Sequence, residues 1–351
     1  MYTRRIFRVR EMILWTRFET LFFILFISLL VGVYAYFDLY WFKIPWTAIA
    51  LIGTAVSFIV GFQNNSVYGR IWEARKIWGG IVNTSRTFGA FTKDMVRPTR
   101  EVTTIPDAVL LAEVKLLTYR HIAWMTALRY GMRADKPWET HLKTKTNTEW
   151  GLLPPEKKTR LEDALCPYIS VEDLNYVLSK DNPQTALLYL QSEHLRVLKE
   201  KGWLWEFSFL KIEGVVQQLF DLQGKSERIK NFPFPRQYAT INHYFMWILL
   251  LLLPVALIPQ FAEIGLDIAT SHSDIGKLFV WFTIPFYTAV AWVFHTMERI
   301  GRTGENPFEG TPNDVPISTI ARGIEIDLRQ NLGEDEAIIP AQFPVEKNVQ
   351  W

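Results

Sequence analysis

Four long runs of apolar residues constrain this chain more than any other feature of its sequence. A helix needs about 20 such residues to cross the hydrocarbon core of a bilayer. The runs extend over Thr20–Phe37, Trp46–Tyr68, Ile241–Phe261 and Leu278–Thr296. The third and fourth contain prolines, which are tolerated where neighbouring helices or water satisfy the freed carbonyls. The sequence therefore predicts an all-α protein with four transmembrane helices.

Composition limits the class of protein further. The chain has 351 residues, 49% of them hydrophobic, yet its mean hydropathy is only +0.05. A large water-exposed portion must therefore accompany the membrane helices. The formal net charge of +2 gives no field that would attract nucleic acid, so we expect no such partner. The single cysteine, Cys166, excludes both an internal disulfide and a thiol-rich metal site.

Basic residues beside the runs indicate the orientation in the membrane, because Lys and Arg are retained on the cytoplasmic side. They lie before the first and third runs and after the second and fourth: Arg4, Arg5, Arg8, Arg10, Arg17, Arg70, Arg75, Lys76, Lys225, Arg228, Lys230, Arg236, Arg299 and Arg302. The two short connections, 38–45 and 262–277, hold only Lys43 and Lys277 against Asp38, Glu263, Asp267 and Asp274. We therefore expect a multi-pass protein of the inner (plasma) membrane with both termini in the cytoplasm.

The runs divide the chain into five parts. We predict a cytoplasmic N-terminal segment 1–18, a first transmembrane pair 19–69, a cytoplasmic helical domain 70–237, a second transmembrane pair 238–298 and a cytoplasmic tail 299–351. Apolar spacing predicts helices over Ala108–Arg129, Asp181–Lys201 and Ile317–Gln330. The segment Asp135–Pro155 has no such spacing and is predicted to be a loop.

The second apolar run carries the pattern that bears on function. Thr54, Phe58 and Phe62 recur every four residues, so they follow one helix face with a drift of about 40° per step. Gly53, Ser57 and Gly61 form a ridge of small residues beside that face, which lets helices approach closely. Several copies around one axis would form a narrow apolar neck, which can gate ions by dewetting. The same spacing also fits side chains that face lipid, so spacing alone leaves both interpretations open.

Three amide side chains follow this pattern directly. Gln63, Asn64 and Asn65 interrupt the apolar run near membrane depth, where polar groups need partners or water. They predict either a water-filled widening of the pore just below the neck or structural amides satisfied between helices. Both interpretations stay open at this point.

The continuation of this helix resembles the most characteristic segment of the bestrophin family. The matching residues, 61–86, read GFQNNSVYGRIWEARKIWGGIVNTSR. Three further stretches agree with the family in the same order: YRHIAWMTALRYGMR, PFPRQYATINHYF and ENPFEGTPND. The resemblance covers the chain from the first span to about Gln330.

Bestrophins are homopentameric channels with a hydrophobic neck and a second, cytoplasmic constriction. The resemblance places Thr54, Phe58 and Phe62 at the neck, with Gln63 and its two neighbours just below it. Thr54 stands where animal members commonly have isoleucine, and Gln63 stands where bacterial relatives frequently have arginine. The second constriction is implied within residues 203–219, for which Phe209 and Ile212 are nominated.

Animal bestrophins bind calcium through several successive aspartates after the NPF segment. In this chain only Glu309 and Asp314 remain as candidates for that clasp. Because calcium prefers six to eight oxygen ligands, several of them carboxylates, we expect a vestigial clasp, no bound metal and no cofactor.

Sequence and resemblance together predict a pentameric channel in the lipid bilayer that conducts monovalent ions, above all chloride. A cation-selective channel of the same fold is the alternative, because an apolar neck carries no sign of charge. A transporter is disfavoured because no inverted repeat is visible, and a non-conducting scaffold is the third possibility. We expect no enzyme, because the spans hold no nucleophile or carboxylate pair and the six histidines, at 121, 141, 194, 243, 272 and 295, are scattered.

Overall fold

Helices form most of the chain in the computed structural model, which describes residues 1–99, 105–139, 144–270 and 273–351. The α-helices within these ranges are α1 Val9–Tyr36, α2 Trp46–Met95, α3 Asp107–Arg133, α4 Lys145–Trp150, α5 Leu161–Leu165, α6 Val171–Leu178, α7 Pro183–Glu200, α8 Glu206–Asn231, α9 Arg236–Ala269, α10 Ser273–Leu278, α11 Thr283–Thr303 and α12 Ile317–Asn331. Strand pairing in the described part of the chain is limited to isolated bridges. The all-α prediction is therefore confirmed.

Within the described residues, four stretches are long and apolar enough to cross a membrane: Val9–Tyr36, Trp46–Met95, Arg236–Ala269 and Ile275–Thr303. The prediction of four membrane helices is thus confirmed. With 50 residues, α2 is about 75 Å long, more than twice the hydrocarbon thickness of a bilayer. Only part of α2 can therefore lie in the hydrocarbon core.

The prolines of the third and fourth spans have different positions in their helices. Pro254 and Pro259 lie inside α9, each removing one backbone hydrogen bond. Pro285 lies in the first turn of α11, which begins at Thr283 after a 3-10 turn over Phe279–Phe282. The N–H groups of a first turn have no acceptor in their own helix, so proline costs little there.

One compact unit comprises residues 4–69 and 234–305 and is called the membrane unit below. In it α1 and α9 both pack against α11, around a core that includes Phe23, Ile27 and Tyr287. Hydrogen bonds fix this packing, since the Trp292 indole donates to the Thr16 hydroxyl (3.0 Å) and the Tyr287 hydroxyl donates to the Leu250 carbonyl (2.9 Å). Many large apolar side chains remain on its outside, as expected for a surface in lipid.

The second compact unit comprises residues 1–3, 70–233 and 306–351 and is called the polar unit below. Helix α3 packs against α7, α8 and α12, and the core contains Trp78, Phe88 and Trp124. The helices predicted over 108–129, 181–201 and 317–330 correspond to α3, α7 and α12. The predicted loop 135–155 contains the short helix α4, and its residues 140–143 lie outside the described residues, as do His141 and His272.

Candidate functional site

The predicted neck residues lie on the outer surface of the membrane unit. Phe58 and Phe62 are 64% and 62% exposed, and Thr54 is exposed one turn before them. The opposite face of α2 is buried through Val56 and Val60, which join the core of the unit. The chain therefore presents two aromatic rings in register on one helix face, largely open to contact by another molecule.

The ridge of small residues divides between two environments. A Cβ atom at Gly53 would lie 3.6 Å from the Leu249 side chain, so this glycine packs against α9 of the same chain. Ser57 is exposed, and its hydroxyl donates to the carbonyl of Gly53 at 2.8 Å. A Cβ atom at Gly61 would meet no described atom within 4 Å. The end of the ridge nearest Phe62 is therefore open to approach by another helix.

Gln63 is turned inward, away from the exposed aromatic face. The side chain is 1% exposed, and its Nε2 donates to Oε1 of Glu305 at 3.2 Å. Its Oε1 accepts from Nδ2 of Asn242 at 2.8 Å. Of the two interpretations left open for Gln63, the structure supports the satisfied structural amide. The pore-lining prediction is corrected for this residue, because Asn242 and Glu305 satisfy both ends of its amide.

Asn64 and Asn65 differ from Gln63 and from each other. Asn64 is half-buried, and its Nδ2 donates to the carbonyl of Met297 in α11 at 3.1 Å. A Cβ atom at Gly301 would overlap the side-chain oxygen of Asn64, so the amide fills the space that this glycine leaves. Asn65 is exposed and remains the amide with the accessibility that a pore contact requires.

The nominated second constriction needs correction on α8 of the polar unit. Ile212 is 0% exposed and belongs to the hydrophobic core, so it cannot line a water-filled path. Phe209 is half-buried, packs against the same core and has the Lys199 ammonium 5.2 Å from its ring centroid. The apolar side chains that α8 exposes are Phe207, at 77%, and Leu210. The apolar residues of this segment do not by themselves show which side of the helix is exposed. For this reason Phe207 and Leu210 were not predicted from the sequence.

The loop after the fourth span holds Asp314 in a closed set of hydrogen bonds. Its Oδ2 accepts from Nη1 of Arg133 at 2.8 Å and from the N–H of Gly310 at 2.7 Å. Its Oδ1 accepts from the N–H groups of Phe308 and Val315 at 2.9 and 2.6 Å. Gly310 has φ of +96°, a conformation that favours glycine. A guanidinium thus neutralises the carboxylate that the clasp would need.

The second clasp candidate is also inside this loop. Glu309 is buried, and the amide of Asn306 donates to its Oε2 at 3.5 Å. No cluster of three or more His, Cys, Asp or Glu side chains that could hold a metal occurs in residues 1–99, 105–139, 144–270 or 273–351. The donor set around Asp314 does not fit calcium, because both carboxylate oxygens already accept from N–H groups.

Sequence reasoning missed a polar cluster beside the predicted neck. Glu305 is 2% exposed and receives the Gln63 amide on one oxygen, while Arg236 lies 3.5 Å from the other. Glu298 is also buried and accepts from Nδ1 of His243 at 3.0 Å. The sequence did carry one signal for this cluster, because polar residues occur at the ends of three spans. Buried charge at such positions is costly and therefore indicates a function.

Comparison with known proteins bears on most of the chain. The family model described as Bacterial/Fungal Bestrophin protein matches residues 2–330. The voltage-dependent anion channel-forming protein YneE of Escherichia coli K12 is 27% identical over 303 residues, which cover 86% of this chain and 81% of that protein. A voltage-dependent anion channel-forming protein of Ralstonia nicotianae is 27% identical over 289 residues, covering 82% and 78% of the two chains.

Solved structures agree with the architecture. A crystal structure of a bacterial bestrophin homologue from Klebsiella pneumoniae matches with a TM-score of 0.70 at 18% identity, covering 91% of this chain and 98% of the other. A crystal structure of a variant of that homologue, which carries one mutation, also matches with a TM-score of 0.70, at 19% identity and with 91% and 99% coverage. At this level of identity the structures establish the shared fold.

Proposed function

Because the chain belongs to the bacterial and fungal bestrophin family, and is a membrane protein of that fold, we infer that it forms an anion channel. The observation that carries this proposal is the exposed aromatic face of α2, with Phe58 and Phe62 in register on the membrane unit. Curated relatives are named as anion channel-forming proteins, not as enzymes, which supports a conducting role.

The conducting unit is proposed to be a homopentamer with α2 at its centre. Five copies around one axis would bring the exposed rings of Phe58 and Phe62 together as an apolar neck. The open space at Gly61 allows a neighbouring subunit's helix to approach beside the neck. Thr54 adds a ring of hydroxyls at the other end, although its Oγ1 already donates to the Ala50 carbonyl at 2.9 Å.

Asn65 is proposed to line the path below the neck, and a second constriction is proposed on α8. With Ile212 in the core, the second constriction is assigned to the exposed Phe207 and Leu210, with the half-buried Phe209 beside them. The permeant ion is proposed to be chloride or another monovalent anion, in keeping with the names of the relatives. The neck itself would exclude ions by dewetting, whatever their charge.

The proposed location is the inner (plasma) membrane, with both chain ends and the polar unit in the cytoplasm. The proposal follows the basic residues flanking each span. It assigns 1–18, 70–237 and 299–351 to the cytoplasm and leaves 19–69 and 238–298 in the membrane. Labelling of Cys166, which is exposed, with a membrane-impermeant thiol reagent tests this: oriented vesicles should react only from the cytoplasmic face.

Ion flux from proteoliposomes tests the channel and its selectivity together. Purified protein in vesicles with a potassium chloride gradient should give a reversal potential near that of chloride. Phe58→Ala should raise the conductance severalfold, because removing the ring widens and wets the neck. A reversal potential near that of potassium would instead support the cation-selective alternative, and saturable coupled uptake would support a transporter.

Phe286→Ala is the matched control for this experiment. Phe286 is also an exposed phenylalanine of a predicted span, but it lies on α11 and contacts the ring of Phe261 at 5.3 Å between centroids. Its removal should leave the conductance unchanged. Equal conductance for the wild type and Phe58→Ala would contradict the neck assignment.

A further inference from the structure

A buried carboxyl group lies one hydrogen bond away from the residue that follows the neck. The chain of contacts runs from Asn242 on α9 to Gln63 on α2, at 2.8 Å, and from Gln63 to Glu305 just after α11, at 3.2 Å. All three side chains are nearly fully buried. Gln63 is the direct neighbour of Phe62 on α2, so a single amide side chain connects Glu305 to the helix turn that carries Phe62.

The position of Glu305 makes its charge state sensitive to its surroundings. A carboxylate with so little access to water is costly unless charge or hydrogen bonds compensate it. Burial raises the pKa of the Glu305 carboxyl to about 7, while Arg236, Arg302 and the Gln63 amide act in the opposite direction. The carboxyl is therefore ionised above neutral pH and protonated below it.

Charged groups act on Glu305 from α9 and α11, whereas α2 contributes the neutral amide of Gln63. Helix α9 contributes Arg236, whose Nη1 lies 3.5 Å from Oε2 of Glu305. Helix α11 contributes Arg302 and the buried Glu298, with Nε of Arg302 lying 3.7 Å from Oε1 of Glu298.

A second pair of charges completes the surroundings. His243 on α9 lies against Glu298 at 3.0 Å, and Arg299 on α11 pairs with Glu19 of α1 at 2.9 Å. Glu298 and Arg299 each have an oppositely charged or hydrogen-bonding partner other than Glu305. Arg236 and Arg302 are thus the cations that lose a nearby negative charge when Glu305 binds a proton.

We propose that Glu305 is a proton-binding site that regulates the channel, with proton occupancy raising anion conduction through the neck. This inference rests on the proposed function. The physical cause is electrostatic: protonation removes one negative charge per subunit beside the neck, while Arg236 and Arg302 stay positively charged. A more positive potential raises the local concentration of permeant anions. Protonation also weakens the charge-assisted hydrogen bond from Gln63 that holds the turn after Phe62.

The test measures chloride conductance of the reconstituted full-length protein as the pH on the face bearing the polar unit is lowered from 8 to 6. The wild type should gain conductance by roughly two- to tenfold, with its midpoint near neutrality. Glu305→Gln, which carries the neutral amide permanently, should show the high conductance at every pH. A wild-type response that survives unchanged in Glu305→Gln would overturn the proposal.

A second variant keeps the proposal testable should Glu305→Gln fail to fold. Arg236 stabilises the ionised carboxylate, so Arg236→Gln should move the midpoint of the conductance change to higher pH. An unmoved midpoint would contradict the assignment of the proton to Glu305. Glu263→Gln is the matched control, because this exposed carboxylate pairs with Lys43 at 2.9 Å elsewhere in the membrane unit and should leave the pH response intact.

Failure of this inference differs from failure of the proposed function. A conductance that changes with Phe58→Ala but not with pH would support the proposed channel and contradict the proposed proton-binding site. Absence of any chloride conductance, at every pH and in every variant, would contradict both the proposed function and the proposed proton-binding site.

Discussion

The membrane unit and the polar unit use charge in opposite ways. The polar unit buries complete ion pairs in its interior, such as Arg133 with Asp314 at 2.8 Å and Lys230 with Glu139 at 2.6 Å. The membrane unit keeps an apolar interior around Phe23 and Tyr287 and confines its buried charges to span ends, as at Glu305. The polar unit therefore carries paired charges within its interior, whereas the membrane unit keeps its buried charges at the ends of its spans.

The same contrast holds for the apolar side chains that each unit exposes. Exposed apolar residues cover much of the membrane unit, so exposure alone does not distinguish lipid from subunit contact there. In the polar unit they are fewer, and Phe207 and Leu210 on α8 form a pair one turn apart. Because the polar unit is proposed to lie in the cytoplasm, this exposed apolar pair is the more informative feature of the two.

The largest expected effect is the loss of a buried ion pair in the polar unit. Arg133→Met leaves the buried Asp314 carboxylate without its guanidinium and should lower the free energy of unfolding by about 3–5 kcal/mol. Chemical unfolding in detergent, followed by tryptophan fluorescence, measures this because Trp78 and Trp124 are buried in the same core. A loss below about 1 kcal/mol would contradict the central role given to this pair.

A smaller effect is expected from a close helix contact in the membrane unit. Gly301→Ala puts a methyl group where the side-chain oxygen of Asn64 lies, which should cost about 1–3 kcal/mol through overpacking. Gly69→Ala is the matched control, because a Cβ there meets no described atom within 4 Å. Thermal unfolding in detergent compares the two variants. Equal midpoints for both would show that α2 and α11 are not in close contact at Gly301.

Acid should weaken the polar unit through a single histidine. His121 is stacked on Phe88 at 4.9 Å, and neither ring nitrogen has a hydrogen-bond partner among the described residues. Burial lowers the pKa of His121 to about 3, well below the unfolded value near 6.5. The unfolded chain therefore binds a proton first as the pH falls, so stability is full above pH 6.5 and declines steadily below it.

At pH 5 the free energy of unfolding should be lower by about 2 kcal/mol. This figure follows from the difference between pH 5 and the pKa of histidine in the unfolded chain. Unfolding midpoints measured between pH 8 and 5 should show it, and His121→Phe should remove this part of the pH dependence. An identical slope in the wild type and in His121→Phe would assign the acid sensitivity to other groups.

The smallest effect is expected for an exposed ion pair. Arg86 donates to Asp327 at 2.7 Å, but both side chains are exposed, at 58% and 39%. Arg86→Gln should change the free energy of unfolding by less than about 1 kcal/mol. The same unfolding experiment as for Arg133→Met gives the comparison. A loss as large as that of Arg133→Met would mean that burial does not decide the strength of these pairs.

The sequence predicted the elements better than the orientation of individual side chains. Length and hydropathy sufficed for the four spans, because bilayer thickness fixes how many apolar residues a helix needs. Periodicity likewise predicted α3, α7 and α12. Family resemblance, carried by residues 61–86, is confirmed by the family model, whereas the roles of Phe58 and Phe62 stay predictions.

The site was harder to predict where it depends on distant partners. The sequence left Gln63 open between a pore amide and a structural amide, and Asn242 and Glu305, which satisfy its side chain, are far from it in the chain. Arg133 and Asp314 are 181 residues apart, and no local pattern links them. Contacts over such separations follow from tertiary packing, which a single sequence does not display.

The aromatic face of α2 is proposed to line an ion path shared by five subunits. Single-particle imaging of the purified oligomer in lipid nanodiscs tests it most directly. The predicted result is a five-fold assembly with the Phe58 and Phe62 rings around an axial opening. An assembly in which these rings point to lipid, with no opening on the axis, would contradict the claim.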